Sequence, residues 1–109
     1  MTALAGDDAV TEVLVAIADP TRRLLLDRLA AHGEATATVL AGRLPVSRQA
    51  IVKHLAVLDR AGLVEGHKQG REMRYTVRPE PLGATARWMS AVAMQWDTRL
   101  AAIKRIAER

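Results

Sequence analysis

The chain predicts a mainly α-helical fold with a small β-hairpin: a winged helix-turn-helix of order α-α-α-α-β-β-α, pairing as a homodimer through its terminal helices. Three observations predict it. Ser47 opens a helix whose Ile51, Leu55 and Leu58 recur at steps of four and three, directly after a shorter helix that Pro45 ends. Past Gly62 the apolar period drops to two, over LVEGHKQGREMRYTV. From Leu82 to Ala107 an apolar residue returns at alternating steps of four and three, with no proline inside the run.

Taken in order, Val10, Val13, Leu14 and Ile17 share one face of a first helix, with Asp7 and Asp8 expected near its positive N-terminus. Asp19-Pro20 breaks it and starts another, Asp19 as cap and Pro20 in the first helical position. Leu24, Leu25 and Leu29 form the buried side of this second helix, which stops near Gly33. Arg22, Arg23 and Arg28 fall off that face and read as solvated surface rather than phosphate contacts. Thr36 caps a third helix with Leu40, Ala41 and Leu44 inward, and only Val46 separates its terminal Pro45 from the Ser47 cap. So tight a turn makes the two helices cross steeply, the helix-turn-helix arrangement.

The fourth helix, Ser47 to Ala61, ends at Gly62, which accepts a left-handed backbone. Two strands follow, turning around Lys68-Gln69-Gly70. Met73, Tyr75 and Val77 alternate there with Glu72, Arg74 and Thr76, as a half-buried hairpin requires. Pro79 and Pro81 launch the last helix. Its seam of Leu82, Ala86, Met89, Ala93, Trp96, Leu100, Ile103 and Ala107 runs roughly 40 Å at about 1.5 Å per residue, too long for so small a body to cover. A second copy of the same helix is the simplest partner, with Leu14 of the first helix joining the interface. Trp88 and Val92 lie off the seam, placed to dock on the first helix.

Length and composition bound the rest. The 109 residues form one domain, 1–109, with 79–109 as its C-terminal dimerisation helix. Half the residues are apolar, so a core is available, and zero cysteines remove thiolate metal sites and disulfides. No run of about 18 apolar residues exists to span a membrane. The opening MTALAGDDAV is not a secretion signal, which leaves a cytoplasmic protein as the expectation.

Charge points to the partner. The net +4 is unevenly spread: residues 1–19 hold four acidic and no basic side chains, whereas residues 43–78 hold eight Lys or Arg against Asp59, Glu65 and Glu72. A basic face neutralises phosphates and releases their counterions. Arg48, Gln49, Val52 and Lys53 fall off the buried stripe near the start of the fourth helix, where donor-rich side chains suit a DNA major groove. Lys68 and Arg71 give the hairpin tip the charge of a wing, able to lie over a phosphate strand or enter the minor groove. Double-stranded DNA is the expected partner. A protein–protein interaction module on the same fold is the rival reading, weakened by the basic bias.

These segments, in this order, resemble the ArsR/SmtB family of small dimeric winged-helix repressors. The resemblance spans about Ala18 to Val77 and rests on ADPTRRLLLDRL (Ala18 to Leu29), SRQAIVKHLAVLDRAGLV (Ser47 to Val64) and GREMRYTV (Gly70 to Val77). It implies that Arg48, Gln49 and Lys53, beside the Ser47 cap, touch bases, and that Arg71 reaches toward the minor groove. His54 stands in the family's His-Leu pair, with phosphate contact and local packing both open. Val52 departs from the small polar residue often found at its position.

Metal-sensing relatives carry two cysteines just before the helix-turn-helix. The matching EATATVL holds Thr36 and Thr38 there, and threonine is no substitute for a thiolate toward a soft metal. The last helix has no histidine for the family's other metal site. The chain therefore resembles a metal-free branch that includes mycobacterial and other actinobacterial regulators, often of their own operons; no cofactor is expected. Nor is an enzyme: Ser47 and His54, the start of a nominal triad with Asp59, are two helical turns or roughly 10 Å apart. RNA binding lacks exposed aromatics for base stacking.

Overall fold

The computed structural model describes residues 2–108, and side chains from Asp8 onward. Five helices and three strands follow one another: α1 (Thr2–Ala18), α2 (Pro20–His32), β1 (Ala35–Thr36), α3 (Ala37–Ala41), α4 (Arg48–Arg60), β2 (Val64–Gln69), β3 (Glu72–Val77) and α5 (Glu80–Ala107). Helix α1 begins at Thr2, so Asp8 sits well inside it rather than at its positive end. The Asp7 side chain lies outside the described residues.

Asp19 caps α2 as the sequence dictates: its Oδ1 accepts from the Thr21 amide at 2.8 Å and the Arg22 amide at 3.2 Å. The Arg22 amide first, then the Thr21 amide and the Arg22 and His54 charges, hold the Asp19 carboxyl below its ordinary value, against the opposing effect of desolvation. Arg22 and Arg23 are not simply solvated. The Arg22 guanidinium donates to the Ala16 carbonyl (Nε, 2.6 Å) and the Val15 carbonyl (Nη2, 3.2 Å), and Arg23 Nη1 donates to the Ile17 carbonyl at 2.6 Å. These are the end carbonyls of α1, which have no partner within their own helix. Two arginines at the start of one helix thus close the end of the previous one. Arg28 is exposed, as expected.

The core gathers around α4. Leu25, Leu29, Leu40, Ile51, Leu55, Leu58, Leu63 and Val64 are all fully buried, each stabilising the fold by about 1.5–3 kcal/mol relative to exposure. Leu24 is instead partly exposed: it lies one residue off the Leu25–Leu29 line and turns outward. Helix α3 is shorter than its apolar pattern suggested. It ends at Ala41, where Gly42 already turns the chain, so Leu44 is buried from the connecting segment rather than from the helix. Helix α4 closes as the glycine predicted: Gly62 has φ +77°, its amide bonds the Asp59 carbonyl at 2.9 Å, and the Leu63 amide reaches the Leu58 carbonyl at 2.9 Å. Leu58 and Leu63, brought together by that turn, are both completely buried.

The hairpin pairs Val64 with Val77 through Gln69 with Glu72, leaving Gly70 and Arg71 as a two-residue turn. The turn lies slightly later than expected, because Gly70 takes the left-handed backbone, φ +63°, that a tight hairpin needs. Met73 near the tip is exposed rather than half-buried, whereas Tyr75 and Val77, nearer the body, pack on the core. The sequence did not announce β1, two residues that pair antiparallel with β3 (Ala35 with Tyr75, Thr36 with Arg74) to give a sheet of order β1-β3-β2. So short a strand carries no period.

Helix α5 packs beside α1 through its first half, with Thr85 buried and Leu82 and Val92 half-buried, while Trp88 keeps 40% of its surface exposed. From Ala93 to Glu108 every residue except Ala102 is exposed. The helix runs far past the body, and the molecule measures 68 × 32 × 20 Å.

Candidate nucleic-acid interface

The site is built on the start of α4. The Ser47 hydroxyl accepts the Ala50 amide at 3.1 Å, satisfying one of the free donors of the first turn and fixing where the helix begins. Ile51, Leu55 and Leu58 anchor one side of the helix in the core, which turns Gln49, Val52 and Lys53 outward; all three are exposed. A helix clamped along one stripe cannot roll, so its free face has a fixed direction.

Arg48 is exposed and held in place: its Nε donates to the Thr38 hydroxyl of α3 at 3.1 Å. Thr36 is also engaged, its hydroxyl accepting the Val39 amide at 3.2 Å to cap α3. The two threonines at the positions where metal-sensing relatives carry cysteines are therefore hydrogen-bonded within the helix-turn-helix. Among the described residues no three His, Asp or Glu side chains converge as a metal site would require.

Arg48, Val52 and Arg71 meet across a groove of about 560 Å³ between α3, α4 and the hairpin, which Thr38, Val39 and Met73 also line. Lys68 is exposed on β2. His54 does not join this group. It is half-buried, with Nδ1 3.5 Å from Arg22 Nη1, and so ties the back of α4 to the α1–α2 junction. The nominal triad is dispersed likewise, since Ser47 caps α4 while His54 faces Arg22.

Ion pairing sorts the basic residues further. Arg74 lies 3.5 Å from Glu34 and 3.4 Å from Glu72, and Arg78 lies 3.1 Å from Glu65, so their charge is largely spent inside the protein. Arg43, Arg48, Lys53, Arg60, Lys68 and Arg71 make no ion pair among the described residues. Arg60 is exposed and falls seven residues beyond Lys53 on the same helical stripe, but it lies beside Glu12 and Val15 of α1 rather than on this groove.

On α5 the predicted seam is uncovered over most of its length. Met89, Trp96, Leu100 and Ile103 expose 51, 54, 57 and 61% of their surfaces, and Ala93 between them is exposed. Leu14 is half-buried, and Leu82 packs against its own core, so this end of the seam is at least partly used within the chain.

A clamped, outward-facing helix after a short turn, followed by a basic antiparallel hairpin, defines the winged helix-turn-helix class of DNA-binding domain. A helix-turn-helix domain model matches residues 17–67. An ArsR-like transcriptional regulator from Rhodococcus sp. RHA1 superposes with a TM-score of 0.82 at 47% identity, over 92% of this chain and 93% of that one. The transcriptional repressor SdpR of Bacillus subtilis is 34% identical over 73% of this chain and 88% of its own length. The homodimeric winged helix-turn-helix DNA-binding domain of a possible ArsR-family regulator from Mycobacterium bovis aligns at a TM-score of 0.66 and 29% identity, over 86% of this chain and 83% of that one. The chain belongs to the ArsR family of winged helix-turn-helix transcriptional regulators.

Proposed function

We propose that the protein is a dimeric transcriptional repressor that binds an imperfect palindrome, the promoter of its own gene included, and works in the cytoplasm. The observation that carries this reading is the free face of α4: Gln49, Val52 and Lys53 stand exposed on it, and Val52 lines one open groove together with Arg48 and Arg71. The apolar stripe left bare on α5 gives the second half of the argument, and the M. bovis relative described as homodimeric supports it. Residues 1–109 act as one domain, with 79–109 as the dimerisation helix.

In this mechanism two copies join along α5 and α1 and set their α4 helices on one side of the dimer. The two helices then enter successive major grooves about 34 Å apart. Arg48, Gln49 and Lys53 read base edges, while Lys68 and Arg71 on the wing, with the Ser47 hydroxyl at the helix start, hold phosphates. His54 backs the helix from behind through Arg22. Occupying the promoter excludes the polymerase.

Footprinting on the DNA upstream of the protein's own gene, with random DNA as control and salt varied, tests the proposal. A protected palindrome with affinity falling steeply with salt is expected. Equal, weak binding to both DNAs would instead assign the fold to protein contacts.

A further inference from the structure

We infer that Val52 reads the 5-methyl group of a thymine in the major groove; the inference rests on the DNA-reading function proposed above. Val52 is not a core residue. The buried stripe of α4 is complete without it, yet Val52 keeps 41% of its surface exposed in the middle of a polar, cationic face. Nor does it serve the helix, since a β-branched side chain is a poorer helix former than its unbranched equivalents. What branching does provide is rigidity: in a helix valine holds essentially one rotamer, so its two methyl groups occupy fixed positions.

The surroundings match one occupant. Val39 of α3 and Met73 of the wing, 39% and 43% exposed, line the same groove as Val52, giving it an apolar floor drawn from three separate elements. Arg48 and Arg71 line it too and bear no carboxylate partner, whereas the one acidic lining residue, Glu72, is engaged by Arg74 at 3.4 Å. An apolar contact set among unneutralised cations suits DNA, where the thymine methyl is the one apolar group on the major-groove edge of the base pairs, flanked by phosphates. Burying one methyl-sized group is worth about 0.8 kcal/mol, which converts to roughly fourfold in affinity.

The test uses the full-length dimer and a site selected from random duplexes. Each thymine of that site is replaced in turn by deoxyuridine, which removes the methyl group and nothing else. Wild-type protein should lose about fourfold at one thymine in each half-site. Val52→Ser, a change at an exposed position, should bind the thymine and uracil versions equally there, while still losing affinity at any thymine whose methyl another residue touches. If a site is selected and every uracil is tolerated, or Val52→Ser responds as the wild type does, the inference fails and the DNA-reading function stands. Selection that enriches no site overturns the function itself and the inference with it.

Discussion

Replacing Trp96 by glutamate should dissolve the dimer without unfolding the domain. Trp96 lies outside the buried core and leaves 54% of its surface exposed, with the Arg99 guanidinium 5.4 Å from the ring centroid. With roughly 250 Å² for a whole tryptophan, the exposed part is about 130 Å², worth about 3 kcal/mol when covered at ~25 cal/mol per Å². A two-fold interface contains the residue twice, so the loss is about 6 kcal/mol, or roughly four powers of ten in the dimer dissociation constant. Burying a carboxylate in the seam adds to that loss. Sedimentation velocity over a concentration series reads the effect, with circular dichroism melting as the check on folding. The expected result is a folded monomer that has lost operator binding. A Trp96→Glu protein as dimeric as the wild type would refute the assignment of this face.

Four further substitutions probe the rest of the structure. Arg48→Ala should cost about 1–3 kcal/mol of discrimination between operator and random DNA if the guanidinium contacts a guanine, and Thr38→Val, which removes the hydroxyl holding Arg48 Nε, should give part of that loss; an equal fall on both DNAs, with the salt slope reduced by about 1, would mark a phosphate contact instead. Arg22→Ala removes the donors to the Val15 and Ala16 carbonyls and should destabilise the fold by about 1–3 kcal/mol in urea titration, whereas an unchanged midpoint would mean that water replaces the side chain at no cost. The Asp19 carboxyl, held low chiefly by the Arg22 amide, contributes stability that is present above the ordinary carboxylate range and is lost as pH falls through its lowered value; Asp19→Asn should therefore flatten the acid limb of the stability–pH curve.

What the sequence made legible follows from how each feature is encoded. The α4 stripe, its Ser47 cap and its Gly62 stop are local signals, set by spacing within one helix and by one residue at each end, and all three stand in the structure. The exposed seam on α5 was equally readable, because a long apolar repeat has nowhere to hide on a small domain. Features that join distant segments were not. Thr38 holding Arg48, Arg22 closing α1 and backing His54, and β1 pairing with β3 depend on which elements meet in space, and single residues carry no period to announce it. Leu24 shows the same limit at short range. Three leucines in a row cannot all face one side of a helix, and which one turns outward is decided by the neighbouring elements.

Reading successive major grooves requires the two α4 helices of the dimer to stand one turn of DNA apart. The chain has no cysteine, so Asp59→Cys, at an exposed position on the last turn of α4 and well past the Arg48–Lys53 turns, introduces a single site for a spin label. Pulsed electron–electron dipolar spectroscopy on the operator-bound protein should give a narrow distance distribution centred near about 34 Å, within the reach of the label tether. An absence of dipolar coupling, or a distance far from a whole number of helical repeats, would contradict the account.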